Sequence, residues 1–492
     1  MLVPHKDSDT TTDDWPAPGK KRRRGVDLRD PDFVRHFGVY GPGETLHLEM
    51  RPCSPSARTV RIGLKRVVFS ERWGRVALED CRDYGSVRFG RLNRETVRLP
   101  SDAARGVYLV SVSADDGAVA AVKIFVHPRE ARPSVGIVNP VFTEWAYHDL
   151  GFYPTHDGKT LTRASEAARR LMRRLPGLRH MSRTVVAGVG VHLESAAPRF
   201  PARSSVRLSL PYIKNERWDR WYWDAELASV RGLWLDDMLC TFPLYALLDK
   251  NAVNYRVFTD IDLDGRNPEL GECDVLVFYG QEVMSRRYYA YLEHLIAERN
   301  VRVILWGVQG FGYREVEFDH GQATVRYVCT RGATGLWGEP LEPFEPPWDE
   351  GNLFGFRFPT PSKGTARPHY SELRIADEGH WLIRAAELER RRFFYWIDFY
   401  GRGMPGLTWS GGEVFRRASA DAHVIAHLGD DRDAIGIGEM GNVLVFSPTY
   451  WPAFSGYQQR DHPEIERLFL AALAGPRKES VTLPSKARRT AR

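Results

Sequence analysis

Five short, mostly apolar runs constrain this chain more than any other feature: Val135–Val138, Asn254–Phe258, Val275–Tyr279, Val301–Trp306 and Val443–Phe446. Each has the length of a strand, and none alternates as a strand with one wet face does, so both faces are expected to be covered. Helical stretches such as Trp234–Leu248 and Arg286–Arg299 lie between them. Strand and helix in alternation predict an α/β fold with a mostly parallel, three-layer sheet. A chain of 492 residues, 43% of them hydrophobic, can bury a second core as well.

That second core is expected ahead of the parallel sheet. After the turn Gly41-Pro42-Gly43, Leu46, Leu48 and Met50 alternate with Thr45, His47 and Glu49, the pattern of a half-buried strand. Val97-Arg98-Leu99, Gly106–Ser113 and Val122–Val126 continue at the spacing of an immunoglobulin-like β-sandwich, placed at residues 31–130. Pro128–Pro133 reads as a linker, and an α/β domain is expected over residues 134–475. Within it, residues 313–432 are rich in Gly, Pro and aromatics and read as an irregular insertion over the sheet.

The net charge of +6 sits in the ends of the chain. Residues 1–24 carry six basic and four acidic groups, and residues 477–492 six and one, which leaves the body close to neutral. Residues 1–30 and 476–492 therefore read as a disordered basic leader and a basic tail. No basic surface interleaved with aromatics follows, which argues against a nucleic-acid partner. Five cysteines without C-x-x-C spacing suit a reducing, cytoplasmic setting, and no apolar run is long enough to span a membrane.

Candidate chemistry gathers after the strands. The first apolar run opens into Asn139–His148, read as an aromatic loop at a strand's carboxyl end, where α/β folds place their pockets. Trp145 and Tyr147 are expected to line that pocket, with His148 beside them. Asp260 and Asp262, two apart, would share one side of a strand end as a base pair or metal ligands, or else cap nearby backbone amides. The turn Gly307–Tyr313 has the form of a nucleophile elbow but carries no Ser or Cys.

Three segments together resemble the large (β) subunit family of N,N-dimethylformamidase. Thr143-Glu144-Trp145-Ala146-Tyr147-His148 is similar to its T-W-x-A-Y-N loop. Thr259-Asp260-Ile261-Asp262-Leu263 and Gly280-Gln281-Glu282-Val283-Met284-Ser285 are similar to T-D-x-D-L and G-H-x-E-Y-W-S. Trp348–Gly355 is similar to P-E-N-x-L-x-G. The resemblance implies a glutamine-amidotransferase-like (flavodoxin-like) α/β domain, a small helical partner subunit, and an iron ion held by two tyrosines and a glutamate. Here Glu282 is followed by Val283 in place of the tyrosine, Gln281 stands nearest the motif's histidine, Tyr245 is near the other tyrosine, and Glu350 matches the carboxylate. No metal ligand is therefore assigned.

Two functions remain open at this point. One is hydrolysis of C–N bonds in small amides, with Asp260 or Glu282 as general base, Glu350 orienting water, and Trp145, Tyr147, His148 and Gln281 binding substrate. The other is a binding or scaffold protein that keeps the pocket for a small polar ligand or a protein partner, a small subunit or a second copy.

Overall fold

The computed structural model describes residues 26–52, 58–72, 74–88, 90, 92–115, 117, 119–128, 134–146, 203–208, 230–231, 233, 237–307, 314–328, 350–357, 369–370, 372–388, 392–394, 409–410, 415–447, 451–457 and 463–476. Residues 1–25 and 477–492, Tyr147 and His148 lie outside them, whereas Val26–Arg29, expected as the end of a disordered leader, is a strand paired with Glu49–Pro52.

The first sheets are built from seven strands: β1 (Val26–Arg29), β2 (Thr45–Pro52), β3 (Thr59–Ser70), β4 (Arg75–Arg88), β5 (Asn93–Arg98), β6 (Gly106–Ala114) and β7 (Val119–Val126). One sheet has the order β1-β2-β5. The other runs β7-β6-β3-β4, with Val230–Arg231 and Val39–Tyr40 pairing onto β7. The two face each other across Leu46, Leu48, Met50, Val60, Ile62, Tyr108, Val110 and Val112. The predicted alternation at Thr45–Met50 is present, with Leu46 and Leu48 fully buried. The β3–β4 hairpin was not foreseen, because Arg, Lys, Asp and Glu run through both strands and most of β4 faces solvent.

The second core is a nine-stranded sheet. Its strands are β8 (Val135–Asn139), β9 (Tyr255–Thr259), β10 (Val275–Phe278), β11 (Arg302–Trp306), β12 (Glu372–Ile375), β13 (Arg392–Phe394), β14 (His423–Leu428), β15 (Asp431–Met440) and β16 (Val443–Phe446), in the order β9-β8-β10-β11-β16-β15-β14-β12-β13. The five predicted apolar runs supply β9, β8, β10, β11 and β16, and these pair in parallel. The remaining pairings are antiparallel. Part of the stretch read as an irregular insertion therefore extends the sheet. Its strands carry charged or histidine-rich sequences such as Glu372-Leu373-Arg374-Ile375 and are stabilised by long-range pairing rather than by an apolar run. Arg314–Asp319 and Thr324–Val328 form a further hairpin in a separate four-stranded sheet.

Helices cover the parallel strands. They are α1 (Val141–Ala146), α2 (Phe242–Lys250), α3 (Asp260–Asp264), α4 (Arg286–Ala297), α5 (Glu350–Phe354), α6 (Trp381–Ala385), α7 (Trp451–Tyr457) and α8 (Pro463–Ala474). Ile137, Val277, Ile304 and Leu444 meet α2 and α8 on one face. Val138, Leu276, Leu305 and Val445 meet Tyr288, Leu292 and Leu295 of α4 on the other. At Gly136 a Cβ would come within 2.6 Å of Leu276 and 3.1 Å of Phe258, so β8 approaches its neighbours as only glycine allows.

The two cores share α2. Every residue from Phe242 to Leu248 is buried, and the helix lies between the main sheet and the outer face of β6. Along β6, Val107 and Leu109 point to α2 while Tyr108, Val110 and Val112 point into the first core. Two cations reach across beside this packing. Arg66 of β3 donates to Asp249 at 3.1 Å, and Lys123 of β7 bonds Glu144 at 3.0 Å and also Asp237. Burial works to lower the Lys123 ammonium, but Asp237 and Glu144 outweigh it and hold it above its ordinary value. Burial pushes Glu144 up to about 7 against the pull of Lys123. Because Lys123 is only 11% exposed, replacing it strands two buried carboxylates. Lys123→Met should cost about 3–5 kcal/mol in urea unfolding; a loss well under 1 kcal/mol would show that the cluster does not hold the two cores together.

Candidate functional site

The chain runs from β8 to β9 on one side and then returns to β10 on the other, so β8 has its sequence successors on both flanks. At such a reversal the connections leave the strand's carboxyl end in opposite directions and open a crevice. The segments leaving β8, β9 and β10 meet there.

After Asn139, the stretch read as an aromatic loop is instead helical. Pro140 sets the turn, and α1 begins at once, with Glu144 N–H donating to the Pro140 carbonyl at 2.8 Å. Its apolar residues Val141, Phe142 and Trp145 fall on one side, so Trp145 turns into the core, 4% exposed, with its ring 5.9 Å from that of Phe33. Thr143 is fully buried, and its Oγ1 accepts the backbone N–H groups of Glu282 at 3.0 Å and Val283 at 3.3 Å. This hydroxyl ties the segment after β10 to the end of β8.

Asp260 and Asp262 lie on α3 rather than side by side on a strand end. Thr259 and Asp262 form a capping box, the Asp262 carboxylate accepting from Thr259 N–H at 2.8 Å and from Asn267 at 3.0 Å. Asp262 thus serves the backbone. Two positions apart on a helix, Asp260 is turned elsewhere. It is completely buried, and its Oδ2 accepts the Phe142 N–H of α1 at 2.8 Å. Its Oδ1 has no hydrogen-bond partner among the described residues. Burial holds this carboxyl well above the ordinary aspartate range, with Asp262, Glu144 and Asp264 adding to the effect and only the Phe142 bond opposing it.

Gln281 and Glu282 are buried beside them, 1% and 5% exposed. Gln281 Nε2 donates to the Val138 carbonyl at 3.3 Å, while its Oε1 has no partner among the described residues. Asp260, Gln281 and Glu282 are thus all attached to the end of β8 or to α1. Glu350 is buried at the start of α5, which packs near β16. In sheet order β16 lies three strands from β8, roughly 14 Å at ordinary strand spacing.

The opposite face of β8 carries a polar cluster that sequence reasoning missed. Asn139 Oδ1 accepts the Tyr245 hydroxyl at 3.0 Å and the Tyr279 hydroxyl, and its Nδ2 has no partner among the described residues. Tyr279 also engages Thr241, whose hydroxyl donates to Asp237 at 3.2 Å, and Asp237 meets Lys123. Burial holds both phenols well above their ordinary range. The available signals were polar residues closing apolar runs, Asn139 after Val138 and Tyr279 after Phe278, and a lysine inside Ala121-Val122-Lys123-Ile124.

A separate cluster joins Ser285 and His320 through Asp264, with His320 Nε2 and Asp264 Oδ2 2.9 Å apart. The acid stands between the hydroxyl and the imidazole, so the arrangement differs from a serine nucleophile relay, in which the imidazole is central. Ser285 caps α4, accepting the Tyr288 N–H at 3.0 Å.

These features define a mixed α/β protein with buried polar groups at the reversal point in the parallel half of a mixed sheet. The family model for N,N-dimethylformamidase beta subunit-like proteins, C-terminal region, matches residues 92–427, more than half of the chain. The chain belongs to that family. No curated protein matches it. Among solved structures it is similar to a β-glucosidase from Listeria innocua (19% identity, 21% of this chain and 16% of that one, TM-score 0.15). It is also similar to a superoxide reductase from Ignicoccus hospitalis (13% identity, 21% and 80%, TM-score 0.14). A third is a cycloisomaltooligosaccharide glucanotransferase from Paenibacillus sp. (12% identity, 60% and 54%, TM-score 0.16). The chain spans about one-sixth of that glucosidase, and at these scores none of the three informs fold or function.

The iron site implied by the resemblance does not fit the described residues. Val283 and Met284, 3% and 0% exposed, occupy the place of the expected tyrosine and pack into the core. The Tyr245 hydroxyl is engaged by Asn139. No group of three or more His, Cys, Asp or Glu among the described residues is placed to hold a metal ion. No helix among them is long and apolar enough to cross a membrane.

The Asp260 carboxyl has a direct consequence for stability. A carboxyl whose folded pKa is raised takes up more protons in the folded state, so its contribution is complete below the unfolded value and is lost as pH rises towards the folded one. Asp260→Asn keeps an acceptor for Phe142 N–H and removes the ionisation. Its melting temperature should gain on the wild type between pH 4 and pH 8; parallel curves would show that Asp260 titrates normally.

Proposed function

We propose that this protein hydrolyses the C–N bond of small amides at the carboxyl end of β8. Family membership supports the reaction class, and the buried Asp260 carboxyl, with one oxygen unpartnered among the described residues, carries the reading. Asp260 is suited to the role of general acid rather than base, because burial favours its neutral form. Glu282 is then the general base that takes a proton from the attacking water, while Asp260 delivers one to the departing nitrogen. Glu350, near β16, stands apart from this pair and is given no part in the reaction.

The strand order β9-β8-β10-β11-β16 supports a flavodoxin-like, amidotransferase-like domain over residues 134–475. Two facing sheets support an immunoglobulin-like sandwich over residues 31–130. The sandwich holds α2 and, through Lys123, the end of α1, so its role is to brace the site. The family's beta subunit-like description supports a small partner subunit.

A non-catalytic binding protein is the second reading, favoured by Val283 at the tyrosine's place. Incubation of the full chain with formamide and N-methylformamide, followed by NMR detection of formate, separates the two. Hydrolysis is expected, with Glu282→Gln slower by about 10²-fold or more while binding persists. Binding without formate would establish the second reading, and neither binding nor formate would end both.

A further inference from the structure

A cleft of about 670 Å³ lies between the first turn of α4 and the hairpin of Arg314–Asp319 and Thr324–Val328, and neither Asp260 nor Glu282 lines it. One wall is a strand edge that the fold leaves incomplete. The two-residue strand Val283–Met284 pairs in parallel with Arg314 and Glu315, and at Ser285 the chain turns off into α4. Beyond Glu315 that edge has no strand partner among the described residues, and Val316, Glu317, Phe318 and Asp319 border the cleft in succession. Successive side chains of a strand point to opposite faces, so an unbroken run of lining residues follows the edge, where backbone N–H and C=O groups project. Thr324 and Arg326, paired with Asp319 and Glu317, carry the cleft onto one face of the hairpin.

The two ends of this edge differ in charge. At the Ser285 end stands the positive pole of α4, a helix of 12 residues, and Arg287, 67% exposed and 4.0 Å from Asp264. The acids there are already matched, Asp264 by Ser285 and His320, and Glu315 by Arg286 at 2.7 and 3.2 Å. At the other end Asp319 accepts the N–H groups of Gly321 at 3.0 Å and Gln322 at 3.3 Å, and has no salt-bridge partner among the described residues. An open strand edge is completed by an extended peptide, and the charges set that peptide's direction. We propose that the cleft takes the carboxyl-terminal end of a partner polypeptide, added as a strand antiparallel to Val316–Asp319. Its terminal carboxylate meets Arg287 and the first turn of α4, and a cationic side chain three residues earlier, about 10 Å along the strand, meets Asp319. A parallel guest would bring its charged amino terminus to Arg287 instead. The inference is independent of the amide reading and stands if that reading fails.

The test is fluorescence anisotropy of the full-length chain with the pentapeptide VKVTV, dye-labelled at its amino end, as the free acid, as the carboxyl-terminal amide, and as an acid N-methylated at alternate residues. The acid should bind at least about tenfold more tightly than the amide, and N-methylation should abolish binding. In Arg287→Ala, an exposed position whose folding a melting curve checks, the preference for the acid should shrink severalfold. Equal affinity for acid and amide overturns the assignment of the carboxylate end. Binding that survives N-methylation in both alternate registers overturns strand addition. Absence of binding by all the peptides overturns the proposal as a whole.

Discussion

The position of β8 inside its sheet is the constraint on which the rest depends. A strand with its sequence successors on both flanks has connections that diverge at its carboxyl end. Buried polar residues stand on the segments around that end: Asp260 at the start of α3, Gln281 and Glu282 after β10, and Asn139 on the other face of β8. Thr143 fixes the segment after β10 through two backbone amides, so the site is held by the strand ends rather than by a free loop.

The first core has a structural part in this arrangement. Because β6 is buried on both sides, its sheet is the inner wall of one core and the outer wall of the other. It carries α2, and α2 carries Tyr245 to Asn139. Lys123 and Arg66 add charged ties at Glu144, Asp237 and Asp249, groups that would be costly to bury alone. Burial pushes Asp249 up to about 6 despite Arg66 nearby, which shows how dry this boundary is.

Match to the family model spans four of the five parallel strands and part of the first core, yet Val283 and Met284 fill with hydrocarbon the place where a phenolate would be expected. What persists at the strand end is an aspartyl carboxyl held by burial above its ordinary range, a buried glutamate and two amides. That set favours proton transfer and hydrogen-bond recognition, and it uses only groups this chain carries.

Sequence alone determined the parallel strands, because a strand covered on both faces must be apolar along its length and five such runs stand out. It also determined the alternating strand Thr45–Met50 and brought Asp260, Gln281 and Glu282 forward as candidates. It did not reveal the charged strands β3, β4, β12 and β14, whose stability comes from partners distant in sequence. Nor did it reveal that Trp145 faces the core, since a one-turn helix after Pro140 rotates it away from the crevice. Tertiary structure alone decided that Asp262 caps a helix while Asp260 is buried against α1. It likewise decided that Asn139, Tyr245, Tyr279 and Lys123 form one cluster, because burial and hydrogen-bond partnership are properties of the packed chain and leave no local pattern in the residues themselves.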